Sequence, residues 1–167
     1  MADISDEDKE LFRAYVNGLS PKDGKSRSSN PVHKQYYLSD YIKEQVYAET
    51  LLSYSTPGLP SKQFQALKTG KIPWEARLDM HGLNSEHARS ALCDFIEQQS
   101  HQNKRCLLII HGKGGLKGEA PLIKNLVNRW LPQFDELLAF HSAQAKDGGQ
   151  GAVYVLLKRN RNNEYLR

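Results

Sequence analysis

The feature that most restricts this chain is a five-residue apolar run, Cys106–Ile110, that stops at His111-Gly112. A run that short and that continuous suits a strand buried on both faces. A second strand-like stretch, Arg77–Met80, stops in the same way at His81-Gly82. Between them Ser85 caps a helical pattern with Ala88, Ala91, Leu92, Phe95 and Ile96 on one side. Strand, helix and strand in that order require parallel neighbours joined by a right-handed crossover. Both histidines then fall at the same edge of the sheet, where ligands of open α/β sheets bind.

A further helix follows, with Pro121 in its first turn and Leu122, Leu126, Val127, Trp130 and Leu131 as its buried face, before Pro132 halts it. Leu137–Phe140 and Ala152–Leu157 supply two more strands. The order βαβαββ over residues 73–160 predicts an α/β two-layer sandwich, a four-stranded mixed sheet with two helices mainly on one face.

Two segments precede this domain. Residues 1–35 read as an amphipathic helix, Ser5–Leu19, capped by Ser5 and its acidic first turn, then a flexible polar linker, Lys22–Pro31. Isolated, such a helix is marginal in water, so it either packs on its own domain or docks on a partner. Residues 36–72 read as a helical extension: Tyr36–Tyr54 is amphipathic and aromatic-rich, Thr56–Pro60 breaks it, and Gln63–Lys68 forms a short helix closed by Gly70. Aromatics at helical spacing are packing residues more often than base-stacking platforms.

Charge sharpens the picture. Lys and Arg number 23 against 19 Asp and Glu, a net charge of +4. The first 70 residues are balanced, nine basic against nine acidic, so the whole excess lies in the half that carries the histidines. That half favours anionic partners. Cys93 and Cys106 read as small buried hydrophobes in a reducing compartment. The acidic N-terminus is unlike a signal peptide, and no apolar stretch approaches the roughly 20 residues of a membrane span. A cytoplasmic protein without membrane contact is expected.

Asp79 and His81, two apart on a strand, share a face, while Leu78 and Met80 take the other. A carboxylate beside an imidazole orients it, so His81 is a candidate general acid or base. His111 on the neighbouring strand is its candidate complement. The loop after it, Gly112-Lys113-Gly114-Gly115-Leu116-Lys117-Gly118, offers backbone amides, two lysines and a helix start to an anion, with phosphate the obvious ligand. Its spacing does not match a Walker loop, which argues against nucleotide hydrolysis. Gly82, His141 and Gly149 are further candidates for substrate binding at the same edge. Gly148-Gly149-Gln150-Gly151 forms either a simple hairpin or part of the site's closure. Asp79, His81 and His111 could hold a divalent metal, but no further carboxylate or cysteine is spaced to complete its shell, so no cofactor is expected.

Four ordered motifs now carry a resemblance. Leu67-Lys68-Thr69-Gly70, Leu78-Asp79-Met80-His81-Gly82-Leu83, His111-Gly112-Lys113-Gly114 and Gly148-Gly149-Gln150-Gly151-Ala152 resemble the Smr (small MutS-related) domain from about Phe64 to Lys158. The second matches the family's LDLHG signature with Met80 for leucine, and the third its HGxG loop. The resemblance implies a βαβαββ sandwich, nucleic-acid binding and often endonuclease activity on DNA or RNA. It places Asp79, His81, His111, Gly112 and Gly114 at the active-site edge. The chain looks like the stand-alone proteobacterial type, some of whose members are similar to nucleases that cut messenger RNA on stalled ribosomes. The Ser5–Leu19 helix more loosely resembles their N-terminal extension, which implies a ribosome contact there. The function expected is an endonuclease that cleaves phosphodiester bonds by histidine acid–base catalysis, RNA favoured over DNA. One histidine would activate the 2′-hydroxyl or a water and the other would protonate the leaving oxygen. The alternatives are a non-catalytic nucleic-acid or ribosome adaptor and a metal-dependent DNA-nicking enzyme.

Overall fold

In the computed structural model, which describes residues 34–114 and 121–160, the Cys106–Ile110 run is a strand buried along its first four residues. Among the described residues five strands form one sheet: β1 (Ser53–Ser55), β2 (Ala76–Asp79), β3 (Cys106–Ile110), β4 (Leu137–Ser142) and β5 (Ala152–Leu157). Their spatial order is β1-β4-β5-β3-β2. Only β2 and β3 run parallel, with Asp79 opposite Ile110, and the other neighbours are antiparallel. The α-helices are α1 (Ser61–Lys68), α2 (Ser85–His101) and α3 (Leu122–Trp130).

Strand alternation divides the apolar residues into two layers. Leu107, Ile109, Val153 and Val155 face α2 and α3 and meet Leu92, Ile96, Val127 and Trp130. Cys106, Leu108, Tyr154 and Leu156 point the other way, where the short α1 covers part of the sheet with Leu67 and Phe64. The mixed α/β class is as expected, with α2 and α3 together on one face. Two local readings shift. Asn84, not Ser85, caps α2, its side chain accepting the His87 N–H at 2.8 Å. Leu122 is exposed rather than part of the buried face of α3.

The helix expected over Tyr36–Tyr54 does not form. Residues 36–52 are an irregular strap that ends in β1, the fifth strand, which the sequence reading did not anticipate. The physical cause lies in where the strap's backbone finds its partners. The Lys124 ammonium donates to the carbonyls of Ala48 at 2.9 Å and Thr50 at 2.5 Å, and Asn125 pairs with both N–H and C=O of Val46. Leu52 exchanges hydrogen bonds with Ser142, and Leu38 and Leu52 enter the core beneath the helices. Tyr36 stacks at a tilt on Phe134 and donates to Glu136 at 3.0 Å, while Asp40 accepts from the Trp130 indole at 2.8 Å. A buried carbonyl without a partner costs about 1–3 kcal/mol, so side chains already waiting on α3 outweigh a helical preference of a few tenths per residue. The strap belongs to the same compact unit as the sheet, which begins at Gln35.

The helix expected at Ser5–Leu19 and the linker at Lys22–Pro31 lie outside the described residues. No helix among the described residues is long and apolar enough to cross a membrane.

Candidate functional site at the sheet edge

Parallel pairing of Asp79 with Ile110 brings the chain beyond β2 level with the chain beyond β3. The expected meeting of the two His-Gly segments therefore occurs. A Cβ on Gly112 would sit 3.2 Å from the Cβ of His81, and Gly112 has φ +83°. Both the close approach and the left-handed backbone call for glycine. Gly112→Ala is expected to destabilise the fold by about 1–2 kcal/mol through backbone strain alone and to push His81 off its position. Denaturant unfolding reads the first effect.

Asp79 holds His81 twice. Its Oδ1 accepts the ring Nδ1–H at 2.6 Å and the His81 backbone N–H at 3.1 Å. The hydrogen bond from the His81 ring keeps the Asp79 carboxyl below its ordinary range; burial opposes this, and the His81 amide and the nearby charges of His81 and Arg77 support it. Arg77 lies 3.7 Å from Oδ2. The carboxylate fixes the proton on Nδ1, so Nε2 is the nitrogen free to take or give a proton. The His81 side chain is 71% exposed and meets solvent.

His111 is its opposite in environment. It is 3% exposed, its Nδ1–H donates to the Gly112 carbonyl at 2.7 Å, and its buried Nε2 has no hydrogen-bond partner among the described residues. Burial pushes its pKa down from 6.5 to about 4; the Gly112 hydrogen bond resists, and the Lys124 ammonium adds to the fall. At neutral pH His111 is thus an uncharged ring. Lys124, fully buried, carries a charge stabilised by the two strap carbonyls, and burial lowers its pKa.

The histidines line a pocket of about 600 Å³, together with Gly82, Gly112, Lys113 and Gly114. Residues 121–124 form another wall, so the first turn of α3 faces the cavity. Lys113 is exposed. The carbonyl of Gly151 accepts the N–H groups of both His111, at 3.0 Å, and Gly112, at 2.9 Å. A Cβ on Gly151 would lie 3.3 Å from Lys113 Cγ and 3.4 Å from the Lys113 backbone nitrogen, so the turn before β5 packs closely on the loop. The glycine segment before β5 thus braces the histidine loop.

The expected site residues do not all assemble. Asp79, His81, Gly82, His111, Gly112, Lys113 and Gly114 come together, whereas Gly115 and Lys117 lie outside the described residues. His141 is turned away: it is buried on the α1 side of the sheet, edge-on to Phe64 with ring centres 6.1 Å apart, and donates from Nδ1 to the Ser142 carbonyl. Strand alternation explains this, since position 141 points to the face opposite Phe140 and its core. Gly149 does not line the pocket; Gly148 and Gly151 do. Lys124 was not singled out from the sequence, although it lies in helical phase with Val127 and Leu131 on a buried face, where a lysine demands buried acceptors. Among the described residues no three His, Cys, Asp or Glu side chains converge to hold a metal. Both thiols are free, and burial raises Cys93 to about 11 and Cys106 to about 12, so neither is a nucleophile at neutral pH.

Comparison with known proteins agrees with this geometry. Residues 78–158 match the Smr domain. A ribosome rescue factor SmrB of Tolumonas auensis is 28% identical over 172 residues, covering 94% of this chain and 96% of the relative. The probable DNA endonuclease SmrA of Escherichia coli is 36% identical over 109 residues, 65% of this chain and 58% of the relative. Among solved structures, YdaL, a stand-alone small MutS-related protein from Escherichia coli, superposes with a TM-score of 0.65 at 31% identity, covering 74% of this chain and 95% of YdaL. Met80, in the leucine position of the family signature, is fully buried on the helix side of the sheet, away from Asp79 and His81. With its fold, ordered motifs and relatives in agreement, the chain belongs to the Smr (small MutS-related) domain family.

Proposed function

We propose that this chain binds a nucleic-acid strand at the sheet edge and cleaves it, with RNA the preferred substrate. The observation that carries the reading is the Asp79–His81 pair at 2.6 Å, exposed beside a buried neutral histidine and a Gly-Lys-Gly loop in one pocket. His81 moves the proton. With Nδ1–H fixed by Asp79, its Nε2 takes the proton of the 2′-hydroxyl as that oxygen attacks the adjacent phosphorus. The bond to the 5′-oxygen breaks, a 2′,3′-cyclic phosphate forms, and the leaving 5′-oxygen takes a proton from water. The solvent-exposed His81 returns its own proton to solvent. His111 positions rather than protonates: at neutral pH it is an uncharged, buried ring whose Nδ1–H holds the Gly112 carbonyl at the start of the glycine loop. Lys113 and the loop amides face the phosphate charge that grows in the transition state. No cofactor takes part in this scheme.

The SmrB relative is named a ribosome rescue factor, which supports messenger RNA on ribosomes as the setting and a cytoplasmic location. The SmrA relative is named a probable DNA endonuclease, which supports DNA as the competing substrate.

The purified chain, incubated with single-stranded RNA, structured RNA and supercoiled DNA in the presence of a chelator, tests the reading. RNA cleavage that persists with the chelator is expected. Tight binding without cleavage would replace it with the adaptor, and cleavage of DNA alone that the chelator abolishes would replace it with a metal-dependent nickase.

A further inference from the structure

A second cleft of about 340 Å³ adjoins the candidate site, and nothing in the proposed cleavage chemistry uses it. Its floor is Leu108 and Ile110, on the sheet face that α1 leaves uncovered, and its sides are Trp74, Arg77 and Lys146. Ile110 and Gly148 line both cavities, so the two are neighbours along the sheet edge.

Trp74 is 40% exposed, yet it is held: its indole N–H donates to Asp147 Oδ1 at 3.4 Å. The other Asp147 oxygen accepts the Tyr154 hydroxyl, so that carboxylate is engaged on both sides. Arg77 lines the cleft, and its guanidinium lies 3.7 Å from Asp79, the partner of His81. An oriented indole, an apolar floor and two cations form the combination that receives single-stranded nucleic acid, in which a base stacks and phosphates pass the cations. A duplex keeps its bases stacked within itself and cannot offer one to the cleft.

Building on the nucleic-acid reading of the neighbouring pocket, we propose that this cleft is a base-stacking subsite, in which Trp74 holds an unpaired base next to the phosphate bound at His81 and Arg77 and Lys146 contact the flanking backbone. The subsite thus restricts the substrate to single-stranded segments and sets where the strand lies across the sheet edge.

The test uses the full chain and an uncleavable 2′-O-methyl oligoribonucleotide of about ten residues, near the site size of small single-strand binders, beside a matched strand with abasic positions. Affinity is read by fluorescence anisotropy and base contact by tryptophan emission. The chain has two tryptophans, and Trp130 is fully buried, so ligand quenching reports Trp74. Quenching by the strand with bases but not by the abasic strand is expected. Trp74→Ala should weaken binding about tenfold or more, with Trp74→Phe retaining most of the affinity. If wild type binds the strand but is not quenched, and Trp74→Ala binds as tightly, the subsite is refuted while the nucleic-acid reading stands. If wild type binds neither strand, both fall.

Discussion

Replacing His81 with alanine is expected to slow RNA cleavage by about 10²–10⁴-fold, the usual contribution of a positioned proton-transfer group. The effect should fall on turnover more than on binding, because the loop amides, Lys113 and the strand-end glycines proposed to hold the phosphate remain. Stability should change little. The His81 side chain is 71% exposed, and its principal partner, Asp79, is itself partly solvated. Unfolding curves of wild type and variant that superimpose, together with a collapsed cleavage rate, separate this outcome from loss of fold. Equal cleavage by both proteins would remove His81 from the reaction.

The second large effect is on stability and comes from His111. Its folded pKa lies at about 4 against an ordinary 6.5. Between those values the unfolded chain binds a proton that the folded chain refuses. Stability is therefore full above pH 6.5 and falls as pH is lowered toward 4. The shift corresponds to about 3 kcal/mol across that window, a large share of the 5–15 kcal/mol, roughly, of a typical domain. Asp79 acts in the same direction but lower: its carboxyl is held below 3.8, so its contribution is lost only as pH falls beneath that value. His111→Asn keeps an amide donor near the Gly112 carbonyl and carries no titrating ring. Denaturant unfolding from pH 7 to pH 4 should show a steep loss for wild type and a flatter one for the variant, and equal slopes would contradict the assignment.

Much of this was legible in the residues because local and tertiary preferences agree. The runs at 106–110 and 152–157 are apolar at every position, so a central strand was the consistent reading, and β3 and β5 have those bounds. Asp79 and His81 were readable as a pair because period-two alternation fixes their common face. The strap at 36–52 was not readable. Its tyrosines fall at helical spacing, but its conformation is set by Lys124 and Asn125, about 80 residues away in sequence, whose acceptors no local pattern reveals. His141 failed for a different reason: strand-end position was visible, but the face was hidden by an irregularity between Leu137 and Ala139 that shifts the register of β4. The unequal environments of the two histidines were also invisible, because burial depends on how the Gly148–Gly151 turn closes over the loop.

The central claim, that His81 cleaves RNA by activating the 2′-hydroxyl, is tested most directly by the ends of the products. Cleavage of a single-stranded RNA by the purified chain is predicted to leave a 5′-hydroxyl on one fragment and a 2′,3′-cyclic phosphate on the other. Fragments bearing a 5′-phosphate and a free 3′-hydroxyl would contradict it and assign the attack to water.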